Sequence, residues 1–329
     1  MKKIYTLFVL CALALSTQGR VRTVSNNPAI PAQYPTMDAA VTASSNGDTL
    51  LISGSPNNYS LTNSLTKRLV LIGPGIKPTL GTVATISYIT LDSSNLGNSK
   101  GSIIAGMRMD GYLSINTNVS NVEVKDSWLN GLYVGNGCRN TLIHNNIVGQ
   151  IYIYGPSRNT LVSNNIISGI SSQSTTAIAT NNLFISNTGD CLNGTTDMVI
   201  SNNIFYGRTP RGAANCVFSN NLTYITNNNA LPYGTNTGGG NIENQDPLLT
   251  TTNGVQYDIN LDYRLQAGSP AHNAGTDGTD IGPTGGGYPW YQQLSYNGIL
   301  PWVQELNILN ASVTPTGSLQ VRVKGRKGR

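Results

Sequence analysis

Pairs of neighbouring asparagines recur along this chain at similar intervals, and that recurrence restricts what it can fold into. The first residues of the pairs are Asn145, Asn164, Asn181, Asn202 and Asn220, with Asp126 in the matching place upstream. Successive gaps are 19, 19, 17, 21 and 18 residues. This period is too short for repeats of paired helices, and the leucine-rich pattern is absent. It is typical of a parallel β-helix, whose coils stack about 4.8 Å apart.

Stacking places equivalent residues of successive coils in columns that run along the helix axis. We expect the first asparagines to form a column at a turn, because asparagine tolerates the left-handed backbone conformation. Their side-chain amides would then donate and accept hydrogen bonds from coil to coil. Two apolar columns are predicted to lie inside the coils: Val124, Ile143, Val162, Ala179, Ile200 and Phe218, and Leu129, Val148, Ile167, Phe184 and Phe205.

For some strands the sequence does not decide which side chains point into the core and which point outward. Leu142 and Ile147 are both apolar, yet they cannot both lie in the interior columns. A run of exposed apolar residues along several coils would indicate a covering segment or a subunit contact, because such a patch is rarely left to solvent.

The chain before the repeats is predicted to close one end of the solenoid. Thr36 is suited to cap a short helix, in which Met37, Ala40 and Val41 would cover the open end of the first coil. Such a cap is needed because an open end exposes the core and an unpaired strand edge. Between about residues 68 and 249 there is room for nine or ten coils.

Three segments are predicted along the chain. Residues 1–19 have the pattern of a secretory signal peptide, with two lysines before an apolar run that is too short for an ordinary transmembrane helix. Residues 20–282 would form the β-helix with its cap. Residues 283–329 would form a C-terminal extension, a hairpin turning at 314–317 followed by a basic tail. The chain is therefore expected to be secreted or at the cell surface, and no later stretch is apolar enough to span a membrane.

The positive charge is concentrated at the two ends of the chain. The formal net charge is +5, but without Lys2, Lys3 and the five basic residues of 322–329 the chain has thirteen basic and fifteen acidic residues. No basic groove is indicated, which argues against nucleic acid as a partner.

Three cysteines remain once the signal segment is set aside. They are Cys138, Cys191 and Cys216, an odd number that permits at most one internal disulfide. Their scattered spacing favours buried structural thiols over a metal or redox site.

Segments at both ends of the chain carry a family resemblance. The stretches AAV…GDTLLISG…LVLIGPG and DPLL…DYRLQAGSPAHNAG…DIG resemble the first and closing coils of the pectate-lyase-like superfamily, and LNILNASVTPTGSLQVRVKGR is similar to tails of exported Bacteroidetes-type proteins. The resemblance implies an all-β, single-stranded right-handed parallel β-helix with an N-terminal helical cap and a small C-terminal β extension. It does not select a function, because this fold hosts lyases, hydrolases, epimerases and adhesins.

Lyases of this superfamily neutralise a uronate carboxylate, often with calcium, and remove the C5 proton with a lysine or arginine. The candidate catalytic group here is Lys125 stacked over His144, with Arg139 over Arg158 on another edge. Lys125 would be the base and an arginine the charge neutraliser. The alternative interpretation is solvated turn residues, with Glu123 balancing Lys125. The column of Glu123 contains no second carboxylate, so the acidic ligand cluster of a lyase is missing.

Four aspartates near the end of the repeats are candidate ligands for a metal ion. Asp258 and Asp262 lie in DINLD, and Asp277 and Asp280 lie in GTDGTD. Carboxylate oxygens are suitable ligands for calcium. Aspartates that form turns explain the same pattern equally well.

An aromatic column is the most suggestive candidate for ligand binding. Tyr112, Tyr133 and Tyr152 are separated by 21 and 19 residues, so they should stack, with Tyr154 and Trp128 nearby. Exposed tyrosines in a row suit sugar rings, which present C–H faces to aromatic surfaces. A stack of aromatic residues can equally fill a core.

These observations leave three functional hypotheses. The first is an exported β-helix that binds a polysaccharide or a glycan of the cell envelope without catalysis. The second is a polysaccharide lyase or another carbohydrate-active enzyme that acts on an acidic glycan. The third is a structural adhesion module whose tail contacts the envelope.

Overall fold

A computed structural model describes residues 19–77, 82–93, 98–174, 176–186, 189–290, 302–308 and 321–326. Short strands from successive coils pair in parallel to form two long sheets, with one short helix at the N-terminal end. The chain is a right-handed parallel β-helix, which confirms the predicted fold class. The predicted signal segment lies outside the described residues, except for Gly19.

Strands are numbered along the chain. The first sheet contains β1 (Val21–Val24), β2 (Thr49–Ile52), β3 (Val70–Ile72), β6 (Ile103–Ala105), β8 (Glu123–Lys125), β10 (Arg139–His144), β12 (Arg158–Ser163), β14 (Ile178–Thr180), β17 (Val199–Ser201), β20 (Val217–Ser219) and β22 (Thr237–Gly239). The second contains β4 (Thr85–Ile86), β5 (Ile89–Leu91), β7 (Arg108–Ile115), β9 (Trp128–Val134), β11 (Ile147–Ile153), β13 (Ile166–Ser172), β15 (Leu183–Ile185), β18 (Ile204–Tyr206) and β21 (Leu222–Tyr224). Between residues 68 and 249 the first sheet has nine described strands, β3 to β22, in agreement with the predicted number of coils.

The interior of the solenoid is filled by the two predicted apolar columns. Val124, Ile143 and Val162 are register partners on β8, β10 and β12, and each is fully buried. The column that begins at Leu129 is likewise buried, and Phe184 stacks on Phe205 at 4.5 Å between ring centroids. These columns form one continuous hydrophobic core along the axis.

The two asparagines of each pair have different roles: the first adopts the left-handed turn conformation, and the second forms the ladder of side-chain amides. The first asparagine of each pair has the predicted left-handed backbone, with φ between 52° and 58°. The prediction that its side chain forms the amide ladder is wrong. The ladder consists of the second asparagines, which are buried inside the turn: Asn146, Asn165, Asn182, Asn203 and Asn221, continuing to Asn241. Each donates from its backbone N and its Nδ2 to the Oδ1 of the next, at 2.9 to 3.1 Å.

The N-terminal cap is as predicted. Helix α1 (Met37–Ala43) begins after Thr36, whose Oγ1 accepts a hydrogen bond from the backbone N of Ala39 at 3.2 Å. Met37 and Ala40 are buried against the core, so the helix covers apolar surface that the first coil would otherwise expose.

A return segment, residues 246–290, leaves the last coil and runs back along the outside of the solenoid. The first asparagines hold it, since each side-chain amide donates to a successive part of the segment: Asn220 to Ala274, Asn202 to Thr276, Asn181 to Asp280, Asn164 to Pro283 and Gly285, and Asn145 to Tyr288. Its apolar residues cover an outward column of the second sheet, Ile147, Ile166, Leu183, Ile204 and Leu222. The predicted covering segment therefore exists on the Ile147 side, and its packing continues to Trp290, past the predicted boundary at 282.

The remaining elements are small. Strands β16 (Thr195–Thr196) and β19 (Ala213–Ala214) pair in parallel, and β23 (Trp302–Ile308) and β24 (Val321–Arg326) form the predicted antiparallel hairpin. Its predicted turn lies outside the described residues. No helix in the described ranges is long and apolar enough to cross a membrane.

The three cysteines behave as predicted for structural thiols. Cys138, Cys191 and Cys216 are buried and free of disulfide bonds. Burial raises the pKa of each thiol above its ordinary value. A raised pKa keeps them protonated at neutral pH, which makes them poor nucleophiles.

Candidate functional site

Two tyrosines stack on the outer surface of the second sheet. Tyr133 of β9 and Tyr152 of β11 are register partners, and their rings are 4.9 Å apart and nearly parallel at 7°. Their neighbours Leu132 and Ile151 are buried in the core. Because successive side chains of a strand alternate between faces, the tyrosines point outward. This part of the predicted aromatic column is confirmed.

Tyr112 of β7 joins the stack, although not in the predicted register. A register shift after Met109 pairs Tyr112 with Gly131, whereas Tyr133 pairs with Ser114. The ring of Tyr112 meets that of Tyr133 edge-on, 5.2 Å away. A Cβ added to Gly131 would lie 2.6 Å from the Tyr112 ring, so glycine is needed there to make room for it.

Tyr88 and Tyr154 extend the stack, and the sequence analysis missed the first of them. The ring of Tyr88 is 6.4 Å from that of Tyr112, and the ring of Tyr154 is 6.4 Å from that of Tyr133. A Cβ on Gly111 would lie 2.4 Å from the Tyr88 ring, which repeats the arrangement one coil further on. That recurring glycine is the signal that could have identified Tyr88. We call Tyr88, Tyr112, Tyr133, Tyr152 and Tyr154 the tyrosine row.

The tyrosine row borders one of two adjoining open depressions. One, of about 380 Å³, is lined by Tyr133 and Tyr154 among others, and the second, of about 660 Å³, includes Lys100 and Arg139. Both include Asp92, so they form a continuous surface. A ligand on the row would therefore lie beside groups that can donate and accept hydrogen bonds.

Trp128 does not belong to this surface, and the prediction for it is corrected. It pairs with Ile147 at the start of β9, five residues and about 16 Å along the strand from Tyr133. Its ring contacts Tyr257 of the return segment edge-on at 5.9 Å, and the guanidinium of Arg108 lies 5.0 Å from the ring. Trp128 therefore supports the return segment.

The predicted stacking of Lys125 over His144 is confirmed by the register of β8 and β10. Lys125 Nζ forms an ion pair with Glu123 Oε1 at 2.7 Å, and His144 Nε2 lies 3.0 Å from the same oxygen. Burial alone would raise the pKa of Glu123, but the hydrogen bonds from Lys125 and His144 outweigh it and lower that pKa. The ring of Tyr288 covers His144, with 4.2 Å between centroids. This arrangement corresponds to the non-catalytic alternative, in which Glu123 balances Lys125.

Arg139 and Arg158 are register partners and lie on a different edge from Lys125, both as predicted. They begin β10 and β12, whereas His144, the partner of Lys125, ends β10 about 16 Å away. The structure therefore does not bring a base and a charge-neutralising arginine to one substrate carboxylate. The lyase assignment of these residues therefore stays a prediction, which this separation does not favour.

Asp126 follows Lys125 in the sequence. It occupies the position that the first asparagine of each pair takes in the later coils. It has the same left-handed backbone, with φ of 61°, and is 8% exposed. Burial raises the pKa of its carboxyl to about 8, with Lys125 opposing that rise and Glu123 adding to it.

The four aspartates predicted as calcium ligands are held in separate turns. Asp258 accepts hydrogen bonds from Asn260, and Asp277 accepts them from Thr279. Asp262 pairs with Arg264 through both carboxylate oxygens, and Asp280 lies 3.1 Å from His272 Nδ1. Within the described part of the chain, no three His, Cys, Asp or Glu residues are grouped as a metal ion requires. The geometry thus agrees with the turn-forming alternative.

The strand pairing defines this chain as a parallel β-helix protein with an aromatic outer surface. No protein-family model matches the chain, and no curated protein matches it. Among solved structures, the crystal structure of pectate lyase Pel9A is similar, with 12% sequence identity and a TM-score of 0.36 over 81% of this chain and 96% of that chain. A likeness at that level supports no inference about activity, so the function is argued from the residues alone.

Proposed function

We propose that this protein is an exported β-helix protein that binds a linear polysaccharide along the tyrosine row without cleaving it. The observation that carries the proposal is a row of outward tyrosine rings with neighbouring centroids 4.9 to 6.4 Å apart. Tyr88, Tyr112 and Tyr154 are 59%, 41% and 42% exposed. Large aromatic side chains left together on a surface indicate a binding site.

The spacing of the rings favours an extended glycan that runs parallel to the solenoid axis. Consecutive coils are about 4.8 Å apart, so the row offers roughly one aromatic surface per coil. Sugar rings in an extended chain follow one another at a comparable interval. Apolar C–H faces of the sugars would pack on the tyrosines, while Asp92, Lys100 and Arg139 in the adjoining depressions would contact hydroxyl or acidic groups.

The absence of catalysis is part of the proposal and is supported by the pairing of the candidate base. Lys125 is engaged by Glu123 at 2.7 Å, and the arginines begin their strands at the opposite end. Export is proposed from residues 1–19, and a glycan of the cell envelope or its surroundings is the partner that such a location would offer.

The proposal is tested by retention of the full chain on gels containing neutral or acidic polysaccharides, with ultraviolet absorbance of unsaturated products followed in parallel. The decisive variant is the double replacement Tyr133→Ala, Tyr152→Ala. If a sugar covers about 40 Å² of each ring, a fifth of the roughly 200 Å² of an aromatic side chain, the loss is about 1 kcal/mol per ring at 25 cal/mol/Å². Two rings then correspond to a roughly thirtyfold weaker affinity.

Two controls separate stacking from other effects. Tyr133→Phe with Tyr152→Phe keeps both rings, so it should retain most of the affinity. Ile178→Ala removes a side chain of similar exposure, 39%, from the other sheet and should change nothing. Retention that survives the double alanine variant would contradict the site, and release of unsaturated uronides would favour the lyase hypothesis instead.

A further inference from the structure

Two side-chain amides lie beside the tyrosine row, on the side away from the depressions. Gln150 precedes Tyr152 by two residues on β11, about 7 Å along the strand. Asn130 precedes Tyr133 by three residues on β9. The depression that the row borders lies in the other direction, where residues 114–117 end β7 and follow it. We call Asn130 and Gln150 the amide flank.

The amide flank has unused hydrogen-bonding capacity. Within the described ranges, neither of its two side-chain amides has a hydrogen-bond partner. Amides that recur elsewhere in the coils are bonded: Asn146 donates to Asn165 inside the turn, and the exposed Asn159 donates to Asn140 at 3.1 Å. Each amide has two N–H donors and one oxygen acceptor, and on the flank all of these are open to a ligand.

Glycines of the neighbouring coils make room for the amide of Gln150. Its register partners are Gly131 on one side and Gly169 on the other. A Cβ on Gly169 would lie 2.5 Å from Gln150 Oε1, so a larger residue there would displace the amide. The ring of Tyr112 lies over Gly131 in the same way. A ring of the row and the amide therefore occupy one column of the sheet, where one bound sugar chain can contact both.

The charged groups near the amide flank already have partners. In the coil before Asn130, Arg108 forms an ion pair with Asp110 at 2.9 Å. In the direction of the later coils, Arg208 donates to the backbone oxygens of Ser168 and Asp190. The flank itself offers only neutral donors and acceptors. Hydroxyl groups match both kinds, whereas a carboxylate can only accept.

We propose that the amide flank selects the glycan of the tyrosine row by binding free adjacent hydroxyl groups along one edge of the sugar chain. Two neighbouring hydroxyls offer a donor and an acceptor, which complement the oxygen and the N–H of one amide. A few placed polar groups of this kind give orientation and specificity to a site whose apolar surfaces supply contact area. The inference rests on the proposed function, because it requires a sugar chain on the row.

The substrate class that follows is a glycan whose adjacent hydroxyls are unsubstituted on that edge. A glycan that carries acyl or ether groups there would leave the amides without partners. Sites built to bind a hydroxyl group discriminate strongly against ligands that lack it, for that reason.

The test compares Asn130→Leu and Gln150→Met with the native full chain in gels that contain soluble xylan, galactomannan or polygalacturonate. Each polysaccharide is used unmodified and after chemical O-acetylation. Both substitutions preserve the size of the side chain and remove its hydrogen-bonding groups. Each should weaken the affinity for an unmodified polysaccharide roughly fivefold, the value of one hydrogen bond, and the double variant roughly 25-fold.

Two controls accompany these variants. Gln245→Met changes an exposed glutamine that lies five coils further along the solenoid, so retention should not change. The O-acetylated gels test the same inference with the native chain alone, which makes that result independent of how the variants fold. O-acetylation should weaken binding of the native chain and remove the difference between it and the amide variants.

The outcomes separate this inference from the function on which it rests. Suppose that the amide variants bind unmodified polysaccharide as tightly as the native chain, while Tyr133→Ala with Tyr152→Ala binds weakly. The tyrosine row would then stand, and the selective role of the amide flank would be refuted. Equal affinity of the native chain for unmodified and O-acetylated polysaccharide would refute it too. A native chain that none of the three polysaccharides retains would overturn the proposed function and this inference together.

Discussion

Replacing one asparagine of the inner ladder should destabilise this protein more than replacing its neighbour. Asn182 Nδ2 donates to the backbone oxygens of Val162 and Thr180 and to Asn203 Oδ1, at 2.9 to 3.0 Å. Its Oδ1 accepts from the backbone N and Nδ2 of Asn165, at 2.9 and 3.0 Å. The side chain is fully buried. Asn182→Ala therefore removes partners from several buried groups at once.

The size of the effect follows from which groups lose their partners. The backbone N–H of Asn165 loses its acceptor, at a cost of about 2 kcal/mol for a buried donor, and the Val162 carbonyl loses a donor, at about 1 kcal/mol. The expected loss is thus about 3 kcal/mol in the free energy of unfolding. In a chain of this size that corresponds to a decrease in Tm of about 4 °C, because the entropy of unfolding is about 0.7 kcal/mol/K at about 2.1 cal/mol/K per residue.

The matched control is the adjacent first asparagine. Asn181 has a φ of 55°, which glycine adopts freely, and its Nδ2 donates to Asp280 in the return segment at 3.0 Å. Asn181→Gly also removes the acceptor of the Thr180 hydroxyl, but that hydroxyl can rotate to another acceptor, so the variant should cost about 1.5 kcal/mol. Both variants are compared with the native chain by thermal unfolding followed by circular dichroism. If Asn182→Ala is no less stable than Asn181→Gly, the inner ladder does not stabilise the coils as argued.

Three further outcomes follow from the contacts around the site. Trp128→Ala should make the return segment around Tyr257 more susceptible to limited proteolysis and leave glycan retention unchanged. A loss of retention would show instead that Trp128 contributes to glycan binding. Tyr288→Ala should increase the labelling of His144 by diethylpyrocarbonate, because the ring that covers His144 is removed; unchanged labelling would contradict that cover. For an oligosaccharide series, calorimetric affinity should rise with length up to about four sugars, one for each coil of the row, and then level off; affinity independent of length would contradict an axial glycan.

The fold could be predicted because its signal is periodic. The recurrence of Asn145 and Asn164 after Asp126 fixes the coil length, and the apolar residue two positions before each asparagine fixes one inward column. These positions obey the alternation of strand side chains, so Ile143 and Val162 lie in the core as predicted.

The ladder was assigned to the wrong asparagine because both members of a pair share one period. Periodicity alone cannot distinguish Asn145 from Asn146. The distinction arises from backbone geometry: the left-handed residue turns the chain, its side chain remains outside, and the next side chain lies inside. What the outer side chain binds, Tyr288 in the case of Asn145, lies 143 residues further along the chain, where the period no longer applies.

The candidate site was only partly predictable for a similar reason. Tyr133 and Tyr152 lie in coils of regular length, so counting residues places them together. Tyr112 precedes a register shift, and counting residues therefore assigned it the wrong partner. Trp128 was misplaced because the number of residues between it and Tyr133 does not reveal that another segment covers the start of the strand.

Asp126 departs from the asparagine pattern at a buried position, and that departure has a consequence for stability. Asp126 is 8% exposed, and among the described residues no hydrogen bond to its carboxyl is found. Burial raises its pKa in the folded chain to about 8, with Lys125 acting against the rise and Glu123 with it. An unfolded aspartate titrates near 4.

The folded state therefore holds a proton that the unfolded state has released between about pH 4 and pH 8. Stability is greatest below that interval and falls as the pH rises through it, by up to roughly 1.4 kcal/mol per pH unit. Asp126→Asn removes this dependence and installs the residue that the following five coils carry. We expect the variant to match the native chain near pH 4 and to exceed it in stability at pH 9, measured by urea unfolding. A difference in stability that stays constant from pH 4 to pH 9 would refute the assignment of a raised pKa to Asp126.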